Sequence, residues 1–203
     1  MSYLGTQPND VKKNTGLYTP SEILRLTKDG SWGGSLELIA EETISGTVSS
    51  VDFTSIQENR YDIHFLTIQQ LEASSGGSNY ITIRFYESGV LETATVYQFA
   101  NQIGTASGSF SERKSTGLAN IELGVQTNVS EIANSYAYFY NLGNSSKYSF
   151  CTSQGFGEAS VQMGFGGGVL PQASVVDGIQ VAHQSSFDTG NIKLYGVKQI
   201  WVT

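Results

Sequence analysis

The chain has 203 residues, 39% of them hydrophobic but only 14% charged, and 11 Lys and Arg against 18 Asp and Glu give a formal charge of −7. That balance offers no electrostatic footprint for nucleic acid, whose binding depends on neutralising phosphates, and no run of about 18 apolar residues offers a membrane span. A single cysteine, Cys151, excludes an intramolecular disulfide, and the length suits one all-β domain with an arm, since sandwiches run to about 200–250 residues.

Residues 1–18 are polar and irregular, and "MSYLGTQPNDVKKN" has no apolar stretch ahead of a cleavage site, so Sec-type export is not expected. "TPSEILRLTKDGSWGG", residues 19–34, then spells a helix start in full. Thr19 and Glu22 have capping-box spacing, Pro20 fits the first helical position, and Ile23, Leu24 and Leu26 follow before Asp29-Gly30 ends the run. A helix near 20–27 is too short to stand alone, because isolated helices below about 12 residues are marginal in water. The expectation is an anchoring arm, residues 1–34, that docks through Ile23, Leu24, Leu26 and Trp32.

From Ser35 the period changes to two. In "SNYITIRFYES", Ile81, Ile83 and Phe85 face one way and Tyr80, Thr82, Arg84 and Tyr86 the other, which predicts a strand with one buried side. Similar segments are "SLELIAEETI", "TVSSVDFTSI", "YDIHFLTIQQL", "VLETATVYQFA", "GLANIELGVQ", "SYAYFYNL", "KYSFCTSQ", "EASVQMGF", "DGIQVAHQSS" and "GNIKLYGVKQIWV", separated by turn clusters such as "SSGGSN", "ESG", "NLGNSS" and "DTGN". About ten short strands without crossover helices predict an all-β fold over residues 35–203. Its form is an antiparallel β-sandwich or jelly roll, not a parallel α/β sheet. "QIGTASGSFSERKSTG", residues 102–117, reads as an exposed, solvated loop.

Within "SYAYFYNL", Tyr136, Tyr138 and Tyr140 share one strand face opposite Ala137 and Phe139. The favoured reading makes the tyrosine stripe half of the sandwich core, with hydroxyls at its rim. The alternative is an exposed stripe that contacts a host-surface glycan, since each ring offers flat apolar area and a hydroxyl.

The Gly-rich "GFGEASVQMGFGGG", residues 155–168, lacks both a Lys-Ser/Thr ending and a following helix start, so it is not a phosphate cradle. Its glycines predict a bulge, a tight turn or close backbone approach. His64 and His183 lie within strand patterns with no Gly-x-Ser-x-Gly elbow, so each reads as a sheet-surface or packing residue, and Cys151, in a strand, reads as a small core hydrophobe. One cysteine and two distant histidines do not make a zinc site, and only turn carboxylates such as Asp177 and Asp188 suggest calcium. No cofactor and no metal are expected. Glu37, Glu41, Glu42 and Asp52 offer acid pairs of no specificity, and "SERK" at Ser111–Lys114 lacks the companions of a Ser-x-x-Lys motif. Asn128-Val-Ser and Asn144-Ser-Ser are formal glycosylation triplets that mean nothing without export. No catalytic constellation stands out, and an enzyme is not expected.

Three stretches carry a resemblance: "GTVSSVDFTSI" leading into "YDIHFLTIQQL", then "ITIRFYESG", then the closing "FDTGNIKLYGVKQI". Over roughly residues 46–203 the chain resembles the β-sandwich modules of tailed-bacteriophage virion proteins: head-decoration, head-fibre and tail-fibre proteins. The resemblance implies a concanavalin-like or jelly-roll sandwich in a homo-oligomer, often a trimer, assembled in the host cytoplasm and held on the virion surface against capsid or tail proteins. Capsid decoration is favoured over a tail fibre because the sequence carries no long repetitive shaft. A carbohydrate-binding module for host recognition is the alternative.

Overall fold

The computed structural model describes residues 19–28, 35–158 and 161–198, with the backbone only for residues 26–28. The chain divides into two units, residues 1–34 and 35–203. In the first, helix α1 spans Pro20–Lys28. Its capping box is made: the Thr19 N–H donates to Glu22 Oε2 at 2.7 Å, and the Glu22 N–H donates to Thr19 Oγ1 at 3.3 Å. The backbone bond from Thr19 is the main reason the Glu22 carboxyl lies below its usual range.

The second unit is all-β. Eleven strands follow in order: β1 (Leu36–Phe53), β2 (Ile63–Ala73), β3 (Asn79–Glu87), β4 (Val90–Leu91), β5 (Tyr97–Thr105), β6 (Phe110–Leu118), β7 (Ile121–Thr127), β8 (Ala133–Tyr140), β9 (Ser149–Gly157), β10 (Gln162–Leu170) and β11 (Val176–Val197). All pair antiparallel in one curled sheet. The longest two, β1 and β11, pair with each other and serve both halves of the curl. The first part of β11, Val176–Ala182, pairs with β3, whereas Phe187–Val197 pairs with β2. The result is a small layer, β1–β11–β3–β7 with β4 extending the β7 edge, and a large layer, β1–β11–β2–β8–β9–β10–β5–β6.

The two long strands differ from the sequence expectation, which broke each in two. Both breaks were placed at real bends: β1 shifts register between Ser45 and Val48 beside Gly46, whose φ is +110°, and β11 shifts between Phe187 and Asn191. Ladder pairing continues through the bends, so "DTGN" lies in strand and not in a turn. The expected loop at residues 102–117 is a hairpin: β5 runs to Thr105, and β6 pairs with it from Phe110. β6 is exposed along most of its length because it forms the sheet edge. Polar side chains there blunt the edge against further pairing, which is why its composition imitates a loop.

Between the layers lies one core. Ile81, Ile83 and Phe85 of β3 join Ile179 and Val181 of β11, Leu66 and Ile68 of β2, and Phe139 of β8. Each such side chain stabilises by about 1.5–3 kcal/mol relative to exposure. Strand β7 is buried along nearly its whole length and packs across β10, β9 and β5. The approach is backbone to backbone: a Cβ at Gly164 would overlap the Gly124 carbonyl, and one at Gly168 would meet Ile121 Cγ2 at 2.6 Å. This close approach accounts for the Gly-rich run. Because a buried strand must still satisfy its polar groups, the large layer supplies donors: Asn101 Nδ2 to the Glu122 carbonyl at 2.8 Å and Ser153 Oγ to the Leu123 carbonyl at 3.2 Å.

Candidate functional site

The crossing of β7 sets the character of the opposite face. Room for it requires small inward residues on the strands it covers. The inward positions of β9 are accordingly Ser149, Cys151, Ser153 and Gly157, and those of β8 include Ala133, Ser135 and Ala137. The large side chains stand outward. Tyr136, Tyr138 and Tyr140 are exposed or half-buried on the outer face, while Ala137 and Phe139 are buried. This corrects the reading of the tyrosine stripe as core.

The strand register extends the stripe into a continuous face. Tyr195 of β11 stands opposite Phe65 of β2, and Phe65 opposite Tyr138 of β8. The Phe65 ring lies 4.6 Å from that of Tyr138, 6.0 Å from Tyr136 and 6.1 Å from Tyr195, and Tyr136 meets Tyr138 edge-on at 6.1 Å. Tyr136 is level with Gln154 of β9, which is level with Phe165 of β10. Phe150, Phe156 and Phe165 remain 42%, 52% and 47% exposed. At one margin Leu36 and Leu38 of β1 stand out beside Val197 and Tyr195; at the other is Phe110 of β6. A shallow hollow of about 430 Å³ opens between Phe65, Thr67, Asn134, Tyr136, Gln154 and Phe156.

Charge is confined to the borders and paired within the chain. Lys193 lies 3.2 Å from Glu41 and Lys114 lies 2.6 Å from Glu112. Polar contacts inside the face are local: the Tyr136 hydroxyl donates to Gln154 Oε1 at 2.8 Å. Antiparallel sheets commonly leave one face to water, but such faces are polar. Exposed rings gathered on one face, with polar side chains between them, are features that interaction surfaces share.

The arm residues are only partly visible. Leu24 is exposed and Ile23 half-buried on α1. The Leu26 side chain and Trp32 lie outside the described residues.

The catalytic candidates are dispersed. His64 is fully buried, its Nε2 donating to the Ile56 carbonyl at 2.7 Å, and His183 Nε2 donates to the Asn79 carbonyl at 3.0 Å. Burial lowers both imidazole pKa values and favours the neutral ring. Burial also pushes the Cys151 thiol to about 12, far from a nucleophilic thiolate.

Glu37 is clamped by Lys198 and Tyr61 at 2.7 and 2.5 Å and by Arg60, which holds its carboxyl below the usual range. The hydrogen bonds of Asn191 and Lys193 do the same for Glu41. Burial of Asp52 opposes ionisation, but bonds from Tyr86, Ser50 and Gln180 outweigh it and lower its pKa. A glycosidase acid needs the opposite shift. Asp177 accepts from the Gly89 N–H at 2.7 Å, beside the β3–β4 turn, whereas Asp188 lies at the bend of β11. Among the described residues no three His, Cys, Asp or Glu side chains group to hold a metal ion, and no helix is long and apolar enough to cross a membrane.

Sequence reasoning missed Phe65, Tyr195, Phe150, Phe156 and Phe165. The signal was present in the inverted alternation of "SFCTSQGF", where small residues, not large ones, take the inward positions. No protein-family model matches the chain, and no curated protein matches it.

Proposed function

We propose that this chain is a non-enzymatic structural protein of a tailed-phage particle. It serves as a capsid-surface decoration protein, or as a tail or fibre component, attached through residues 1–34 and assembled with copies of itself, a trimer by preference. One observation carries this reading: the aromatic outer face of the large layer, from Tyr195 and Phe65 across to Phe156 and Phe165. Its occupant is a second copy of the chain. Two copies, each with a formal charge of −7, repel one another across most of their surface. Across this face the repulsion is small, because the carboxylates at its borders, Glu41 and Glu112, are paired with Lys193 and Lys114 of the same chain. The exposed Leu24 on the capped helix supports a role for the arm in attachment.

Light scattering on the full-length chain, alone and as Phe65→Gln/Phe165→Gln, tests the assembly. The wild type should form a defined oligomer that the double variant dissociates. Co-sedimentation with particles lacking the protein tests the location. A wild-type chain that stays monomeric and ignores the particles overturns both.

A second reading, glycan recognition, is favoured by the hollow in which Tyr136 and Phe65 lie beside the amides of Asn134 and Gln154. Rings with adjacent amides suit the apolar faces and hydroxyls of a sugar. A glycan array discriminates: a signal that Tyr138→Ala abolishes, on a monomeric chain, favours this reading over assembly.

A further inference from the structure

The outward side of the small layer differs from the aromatic face. Here Tyr80, Thr82 and Arg84 of β3 and Gln180, Ala182 and Gln184 of β11 floor a cleft of about 650 Å³. Ser49 and Ser50 of β1 wall one side, and Glu122 and Gln126 of β7 the other, with Arg113 of β6 and Asn120 of the β6–β7 turn. The curl of the large layer brings the β6 edge here. Arg113 Nε and Nη2 donate to both Glu122 oxygens at 2.5 and 2.8 Å, and its guanidinium lies 5.2 Å from the Tyr80 ring centre. That pair cancels its own charge. His183, also lining the cleft, donates from Nε2 to the Asn79 carbonyl and accepts the Ser185 N–H at Nδ1, and burial lowers its pKa.

What remains is Arg84. Its Nε donates to the Ala119 carbonyl at 3.0 Å and Nη1 to Gln180 Oε1 at 3.5 Å, which fixes the side chain and uses two of its five N–H donors. Gln180 is itself held by Asp52 at 2.7 Å. Among the described residues Arg84 makes no direct ion pair, so this acidic protein keeps a positioned cation in a cleft whose remaining lining, apart from the Arg113–Glu122 pair and His183, is mainly amides and hydroxyls.

We propose that this cleft is a binding site for a carboxylate-bearing saccharide. The spare donors of Arg84 take the carboxylate, and Gln184 and the Tyr80 hydroxyl take ring hydroxyls. A peptide fits less well. The floor is a sheet face whose backbone groups are already paired in the β11–β3–β7 ladder, so no strand can add there, and recognition falls to side chains. The inference goes beyond the assembly reading and does not depend on it, because none of these residues lies on the aromatic face.

The experiment titrates the full-length protein with trigalacturonate and sialyllactose, with maltotriose and lactose as neutral counterparts and a glutamate oligopeptide as an acidic non-sugar. Binding is read by calorimetry and by amide chemical shifts. At least one carboxylated sugar should bind with shifts confined to residues 49–50, 78–84, 113–126 and 180–184, and should weaken as salt rises. Arg84→Gln should cost about tenfold or more, the worth of a charge-assisted bond. Gln184→Glu, at an exposed position that does not threaten the fold, should weaken the carboxylated sugar severalfold by setting a like charge beside the carboxylate, while Tyr138→Ala should have no effect. Binding of neither acidic sugar, equal binding of neutral and acidic sugars, tighter binding of the glutamate peptide, or indifference to Gln184→Glu overturns the proposal.

Discussion

Strand β10 has two faces that obey opposite rules. Inward, at Gly164 and Gly168, the strand has no side chain to give, because β7 crosses at backbone distance. Outward, at Met163 and Phe165, it carries large side chains, the first half-buried and the second 47% exposed. Along one strand, bulk follows the space available and not the usual inward direction of apolar residues. The inner face specifies the fold, and the outer face is free to specify a partner.

The sharpest way to break this comparison is to add a methyl group inside. Gly164→Ala should destabilise by at least about 3 kcal/mol, at or beyond the upper end of ordinary overpacking, because its Cβ meets the Gly124 backbone, which cannot rotate away. Loss of a cooperative urea transition, or a large drop in its midpoint, would be the result. Gly168→Ala should cost less, about 1–3 kcal/mol, since its first obstacle is the Ile121 side chain. Pairing it with Ile121→Ala should recover part of that loss in a double-mutant cycle. A fully additive cycle would mean that β7 does not press on β10 at this point.

The inward face also holds polar groups, and pH probes them. Burial lowers the pKa of both His64 and His183. The unfolded chain therefore takes up these protons first as the pH falls below the ordinary histidine value of 6.5. Stability is fully present above that value and declines on acidification, by at most about 1.4 kcal/mol per pH unit for each histidine. The depressed carboxyls of Glu37 and Asp52 extend the loss to lower pH with the same sign. Thermal melts between neutral pH and about pH 5.5 should show the decline. In His64→Gln it should be shallower, with His183 still contributing.

Much of the fold was legible because period and capping are local. The Thr19–Glu22 box and the alternation of Ile81, Ile83 and Phe85 report on their own strand or turn, and the structure realises both. The strands lost to reading fail for non-local reasons. β6 looks like a loop because an edge strand needs polar residues, and β1 and β11 look broken because they bend while passing between layers. The site was less legible still. Inferring that Phe150 and Phe156 point outward requires knowing that β7 covers Cys151 and Ser153, and that contact joins residues about thirty apart in sequence. The cleft is more distant again: Arg84, Arg113 and Gln180 come from three strands with nothing in their local sequence to link them.

The smallest expected effect on stability is the most discriminating. Phe165→Gln replaces an outward ring that is 47% exposed, beside Gln102 and Gln154, by an amide that extends the same polar row. With no cavity made and no buried group orphaned, the unfolding free energy should change by about 0.5 kcal/mol or less, the range of surface substitutions. If the outer face is an interface, the same change should shift the self-association midpoint severalfold to higher concentration, because aromatic anchors carry a disproportionate share of interface energy. A ring that leaves stability unchanged but controls association belongs to the partner's surface. A ring whose loss costs as much as Gly164→Ala would instead belong to the fold, and the two faces of β10 would no longer be distinct.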